Sequence, residues 1–209
     1  MIALTEDIAG FRIHRGALDI GEQRELVEVC RGICGAAPLV RPLTAWGKWM
    51  SVKMTSAGRL GWVIERGRYR YTDRHPSTGA RWPDIPDAVL DVWRRFADWP
   101  DDPDSCLMNW YDPDAKMGLH QDKDEGDFAA PVVSISLGDP ARFRMGGTER
   151  KLATTSTILN SGDVVVMGGA ARLAYHGIDR VFTDGPPNPL TGRGRINLTL
   201  RVVDETGNT

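Results

Sequence analysis

The chain has 209 residues, 41% hydrophobic and 26% charged, which suits one globular domain and excludes a low-complexity or disordered chain. No apolar run approaches the ~18 residues of a membrane span, and Met1-Ile2-Ala3-Leu4-Thr5-Glu6-Asp7 does not read as a secretory signal. A net charge of −2 excludes a general polycation, and a cytoplasmic monomer without membrane partners is the simplest expectation.

In chain order, a first helix is expected to start soon after Asp19 and Gly21. Leu26, Val27, Val29, Cys30 and Ile33 form its apolar stripe, and Pro38 marks its end. Cys30, Cys34 and Cys106 are an odd count, which argues against a disulfide framework and for buried thiols in a reducing compartment. Residues 41–82 then hold nine Lys/Arg against Glu65 and Asp73, whereas residues 83–127 hold thirteen acids against four bases. The first of these stretches, aromatic and broken by Gly58, Gly61 and Gly67, reads as short strands or loops. Its charge suits a phosphate-facing surface, or else a solvated face.

A second helix is expected over 85–98, with Asp84 as its cap, Pro86 in its first turn, and Val89, Leu90, Val92, Trp93 and Phe96 on its apolar side. Beyond the Asp/Pro-rich stretch 98–104 the pattern changes. Short strands are expected at 105–111, 117–120, 132–137, 142–145, 155–159, 164–167, 172–176 and 195–203, separated by Gly, Pro and Asp. Many short strands after early helices predict an α+β fold with a double-sheet, jelly-roll core.

Three constellations carry chemistry. Asn109 and Tyr111 share a strand face, offering an amide and a phenol. His120 and Asp122 are also two apart, so an imidazole and a carboxylate can meet one metal. Of the other histidines, His176 at the end of a strand pattern is a better third ligand than His14 or His75. Two His and one carboxylate with open positions suit non-haem Fe(II) oxygenases. Finally, Arg195-Ile196-Asn197-Leu198-Thr199-Leu200-Arg201 alternates strictly, with Arg195, Asn197, Thr199 and Arg201 on one face. The two arginine Cα atoms stand roughly 20 Å apart, so the guanidiniums suit opposite ends of a dianion site. The plain alternative is an exposed amphipathic strand.

Asn-x-Tyr, His-x-Asp, a distant His and Arg-x-Asn-x-Thr-x-Arg, in that order, resemble the AlkB family of 2-oxoglutarate dioxygenases, and in particular its bacterial branch. The likeness extends through Leu119-His120-Gln121-Asp122-Lys123-Asp124-Glu125, Ala130–Gly138 and Gly162–Gly169, and spans roughly 50–203. The resemblance implies a double-stranded β-helix core at 105–203, an N-terminal extension at 1–40 and a nucleotide-recognition lid at 41–82. It implies Fe(II) on His120, Asp122 and His176. 2-Oxoglutarate and O2 would be cosubstrates, the distal carboxylate pairing with Arg195, and Arg201 lying near the C1 carboxylate and Asp122. Asn109, Tyr111, Asn197 and Thr199 would contact 2-oxoglutarate.

It further implies oxidative dealkylation of 1-methyladenine and 3-methylcytosine in DNA, single-stranded or as a base flipped from a duplex, and in RNA, with release of succinate, CO2 and formaldehyde. Trp62 and Tyr69 match lid aromatics that hold the base. Asp124 matches an acid near the cationic lesion, and Arg150 a substrate-contacting arginine, although residues 147–155 depart from the family pattern. Met167 stands where some relatives carry Trp. Two other readings share these residues: a 2-oxoglutarate oxygenase acting on a protein or small molecule, and a non-catalytic jelly-roll module that binds nucleic acid.

Overall fold

The computed structural model describes residues 4–44, 46–65, 67–185, 188 and 190–203. Arg66 of the basic stretch and the ends of the chain lie outside the described residues. Among the described residues the elements are β1 (Leu4–Ile8), β2 (Phe11–Arg15), α1 (Ile20–Ala36), β3 (Lys53–Gly58), β4 (Gly61–Glu65), β5 (Arg68–Thr72), α2 (Asp87–Phe96), β6 (Ser105–Tyr111), β7 (Met117–His120), β8 (Val132–Gly138), β9 (Ala141–Met145), β10 (Thr155–Leu159), β11 (Val164–Met167), β12 (His176–Val181) and β13 (Arg195–Arg201).

Period-two patterning places these strands in two facing sheets. The larger sheet runs β1-β2-β11-β8-β13-β6-β3 and the smaller β10-β9-β12-β7, while β4 and β5 form a separate hairpin. One apolar cluster joins Ile196, Leu198 and Leu200 of β13 and Val133, Ile135 and Leu137 of β8 to Leu26 and Ile33 of α1 and Trp93 of α2. The helices therefore cover the outer face of the larger sheet. A second cluster, with Phe11, Ile13, Val165, Phe143, Met145 and Ile178, fills the space between the sheets. The polar face of β13 points into that space and is buried, so β13 is a central strand rather than an exposed amphipathic one.

The helix ends follow local chemistry. Asp19 caps α1 by accepting from Glu22 N–H at 2.9 Å, and the Glu22 carboxylate accepts from Asp19 N–H at 2.7 Å, a reciprocal capping box. Helix α2 is shorter than the 85–98 expected. Its N-cap is the extended Pro86, not Asp84, because the residue before a proline is pushed out of helical geometry.

A second difference is at 172–176, where 172–175 form no strand. Residues 169–175 turn over a 3-10 segment (Gly169–Ala171), and β12 begins at His176. The turn carries the Arg172 side chain inward, where it is buried and hydrogen-bonds Ala130 O and Asp122 O. The β1–β2 hairpin, in the part expected as an extension, joins the larger sheet through β2 and β11, with Ile13 opposite Val165. The thiols of Cys30 and Cys106 are buried in the helix-side cluster, and burial pushes the Cys106 thiol up to about 12, so it is inert near neutrality.

Candidate active site

Antiparallel pairing of β12 with β7 sets His176 directly opposite His120, with ring centroids 4.5 Å apart. The register slips just after this pair, and Gly177 permits it, since a Cβ there would lie 2.5 Å from Met117 O. Asp122 lies past the end of β7, so its placement does not come from strand alternation. Instead Arg172 holds its backbone carbonyl at 2.7 Å and Arg201 its carboxylate at 3.0 Å. One ligand atom from each of His120, Asp122 and His176 falls within 4.8 Å of the others.

The tautomers suit a metal. His120 Nδ1 lies 2.9 Å from Gly118 O, and His176 Nδ1 lies 3.0 Å from Ala174 O. A carbonyl only accepts, so each Nδ1 carries the proton and each Nε2 presents a lone pair. Both Nε2 atoms stand 3.8 Å from Asp122 oxygens, too far for a hydrogen bond. Burial opposes ionisation of Asp122, but Arg201 and the two imidazoles hold its carboxyl well below the usual range. The group is a ready anionic ligand, and the donor set fits Fe(II).

Behind Asp122 lies an ionic chain that the sequence did not announce. Arg201 pairs with Glu125 at 3.3 Å, and Glu125 pairs with Arg172 at 3.3 Å; all are buried. Tyr71 of β5 donates its hydroxyl to Glu125 at 2.6 Å. Glu125 and Arg172 were not singled out, because Glu125 stood only as the end of the family-like stretch 119–125 and Arg172 only as the start of an expected strand.

Arg195 differs from Arg201. It is 1% exposed, and among the described residues no carboxylate lies within ion-pairing distance. Its guanidinium donates only to Ser136 Oγ at 2.5 Å and, at 3.3–3.4 Å, to the carbonyls of Asp139 and Leu159. Burial lowers its pKa to about 10, which still leaves it cationic at neutral pH. A buried cation without a counter-ion is a site prepared for an anion.

Tyr111 lies opposite Arg195 across β6 and β13, and Asn109 opposite Asn197. The Asn197 amide donates to Ser134 Oγ at 2.7 Å and Ile135 O at 3.1 Å, while its oxygen accepts from Thr199 at 2.9 Å and Asn109 at 3.4 Å. Asn197 therefore organises its neighbours, and the buried Asn109 oxygen is left without a partner.

Two cavities share His120, Asp122 and Arg201 as walls. The inner one, about 510 Å³, is lined by Asn109, Tyr111, Arg195, Asn197, Thr199 and Met167. The outer groove, about 1090 Å³, is lined by Trp62, Tyr69, Asp124, Glu125, Arg150 and Tyr175. Trp62 and Tyr69 stack with centroids 5.3 Å apart, and Trp62 Nε1 donates to Asp124 at 3.0 Å. The Arg150 guanidinium lies 5.8 Å from the Tyr175 ring centroid. All thirteen residues singled out in the sequence thus line one or both cavities.

Residues 10–201 match the 2OG-Fe(II) oxygenase superfamily. The chain is 53% identical over 194 residues to the alpha-ketoglutarate-dependent dioxygenase AlkB homolog of Caulobacter vibrioides, covering 93% of this chain and 88% of that protein. It belongs to the AlkB family. The alpha-ketoglutarate-dependent dioxygenase AlkB of Escherichia coli K12 is 42% identical over 193 residues, covering 90% of this chain and 88% of that protein. A solved structure of OsALKBH1 superimposes with a TM-score of 0.78 at 30% identity, covering 95% of this chain and 99% of that one.

The AlkB-family chain is an Fe(II)- and 2-oxoglutarate-dependent dioxygenase, and its donor set agrees with that cofactor. When bound, Fe(II) with 2-oxoglutarate and O2 supplies an oxidation that hydroxylates a C–H bond as the cosubstrate becomes succinate and CO2. The protein's part is to position groups and keep water from them.

The metal-free protein has a pH signature. Burial first, and then the charge of His120, lower the His176 pKa from 6.5 to about 4. The unfolded chain takes up this proton below 6.5 and the folded chain resists it, so stability is full above 6.5 and falls as pH drops towards 4. Thermal melts in chelator are expected to show this decline, with a shallower one in His176→Asn. Equal slopes in the two proteins would remove His176 as its cause.

Proposed function

We propose that this enzyme removes alkyl groups from N-alkylated bases of nucleic acids, with 1-methyladenine and 3-methylcytosine in DNA, and also in RNA, as substrates. His120, Asp122 and His176 hold Fe(II). Arg195 takes the distal carboxylate of 2-oxoglutarate, Tyr111, Asn109, Asn197 and Thr199 line its path, and Arg201 lies near its C1 carboxylate. The reading rests on one observation: two of the metal ligands, His120 and Asp122, lie on the shared wall between a pocket ending at a buried cation without a counter-ion among the described residues and a groove bearing stacked aromatics and an acid.

A planar base suits the Trp62 and Tyr69 rings, and a cationic alkylated base is favoured over its neutral parent by the Asp124 carboxylate, with Arg150 at the groove edge. Hydroxylation of the alkyl carbon gives a hemiaminal that collapses to formaldehyde and the repaired base. Residues 41–82 carry the lid over the 105–203 core while their strand β3 extends the larger sheet, and residues 1–40 are an N-terminal extension whose β2 and α1 pack onto that sheet. A cytoplasmic monomer that prefers single strands or flipped bases completes the proposal.

Aerobic incubation with Fe(II), 2-oxoglutarate and a 1-methyladenine oligonucleotide tests it. The expected result is oligonucleotide that has exchanged its methyl for hydrogen, with stoichiometric succinate. Intact oligonucleotide, with 2-oxoglutarate decay stimulated instead by a protein or small-molecule fraction, would move the enzyme to another substrate class. Trp62→Ala is expected to weaken oligonucleotide turnover by roughly 10–100-fold, the scale of one lost base–ring stack, and to change uncoupled 2-oxoglutarate decay far less.

A further inference from the structure

Within the lid, and on either side of Ala45, which lies outside the described residues, Pro42–Thr44 and Trp46–Met50 pair as a tight hairpin whose indoles have been assigned no contact. Thr44 N–H donates to Lys48 O at 2.8 Å, Gly47 N–H to Thr44 O at 2.9 Å, Lys48 N–H to Thr44 Oγ1 at 3.1 Å and Met50 N–H to Pro42 O at 2.9 Å. Leu43 bridges Trp49, and Gly47 takes a left-handed φ of +71° that other residues adopt only with strain. The tip is thus a hydrogen-bonded turn.

On this turn Trp46 is 86% exposed and Trp49 66% exposed. Among the described residues neither indole stacks on another ring or donates its N–H. Two solvated indoles on a fixed turn forgo the burial that aromatic rings normally gain, roughly 150–250 Å² each, so the arrangement calls for a partner.

The surroundings say which partner. Thr44 and Met50, on either side of the tip, line the same groove as Trp62, Tyr69 and Asp122. Cations flank the rings. Arg41 and Lys53 share the single carboxylate of Asp112, at 3.6 and 3.0 Å, and Lys48 has no ion pair among the described residues. Rings interleaved with cations beside a base-sized groove are the elements of a single-strand platform, where rings stack on bases and cations follow phosphates.

We propose that Trp46 and Trp49 form a second subsite, which stacks on the nucleobase neighbouring the target nucleotide while Lys48 and Arg41 face its phosphates. This rests on the dealkylase reading and deepens it: the enzyme recognises a strand rather than an isolated base. A mononucleotide would fill the groove and leave the hairpin empty.

The test uses the full chain with Fe(II) and 2-oxoglutarate on three substrates: a pentanucleotide with central 1-methyladenine, the same strand with abasic sites beside the lesion, and 1-methyl-dAMP. For the wild type, abasic flanks are expected to raise KM by about tenfold, the lower range of one lost stack. Trp46→Ala/Trp49→Ala is expected to raise KM on the intact pentanucleotide by a similar factor, to show no further rise on the abasic strand, and to lose the preference for pentanucleotide over mononucleotide. Trp46→Phe should restore much of that preference.

Unchanged KM on the pentanucleotide, or an equal loss on the mononucleotide, overturns the subsite while leaving the dealkylase reading intact. So does sedimentation showing a wild-type dimer that the double variant dissociates, since the tip would then be a self-contact. A wild type that leaves all three substrates methylated overturns the parent reading and this one together.

Discussion

Asp122→Ala is expected to end turnover while leaving the protein folded. Among the described residues Asp122 is the carboxylate in the cluster with His120 and His176, and Arg201 and the imidazoles keep it ionised despite burial. Loss of an outer partner alone costs a metal site roughly 10–100-fold, so loss of a ligand is expected to exceed about 100-fold in formaldehyde release and to remove the visible band formed anaerobically with Fe(II) and 2-oxoglutarate. The fold should survive, because Arg201 keeps Glu125 at 3.3 Å and is not left as a lone buried charge. An Asp122→Ala protein that still releases formaldehyde from a methylated oligonucleotide would refute the ligand assignment.

Arg195→Met is expected to keep or raise thermal stability while weakening 2-oxoglutarate binding. Without a carboxylate partner, the buried guanidinium is stabilised only by neutral acceptors, and its desolvation is uncompensated until a dianion arrives. Replacing buried charge by apolar volume is often neutral or stabilising by about 1–4 kcal/mol, so the cosubstrate-free variant should melt at or above the wild-type temperature.

Its 2-oxoglutarate KM should rise, because truncating one side of a buried charge pair costs about 2–5 kcal/mol, roughly 30-fold or more. The same substitution at Arg201 should destabilise the protein, since it strands the buried Asp122 carboxylate and leaves Glu125 with Arg172 alone as its cation. A variant with a normal KM for 2-oxoglutarate would show that the distal carboxylate binds elsewhere.

The ionic chain from Tyr71 to Asp122 shows why part of this site escapes a reading along the chain. Tyr71 is on the β4–β5 hairpin, Glu125 follows the His-x-Asp segment, Arg172 is in a turn and Arg201 closes the last strand. No local period links them. Each is an ordinary polar residue until folding removes the water around it, and only then must it find a charged partner. The strand expected at 172–176 starts only at His176 for the same reason: the segment before it turns where the buried Arg172 meets Asp122 O and Ala130 O.

What the amino-acid order alone determined was local. Alternation in 195–201 separated the arginines from the leucines, the strands at 155–159 and 164–167 were bounded correctly, residue chemistry with spacing gave a candidate metal set, and the resemblance of the ordered motifs supplied the family. Tertiary structure decided what each face meets. It put the polar side of β13 inside a double sheet, set His176 against His120 by register, left Arg195 unpaired while giving Arg201 two acids, and built β2 into the larger sheet. Period and propensity act over a few residues, so they settle which side chains point together. Which charges lose their water depends on contacts between segments far apart in sequence, and only the packed sheets supply those.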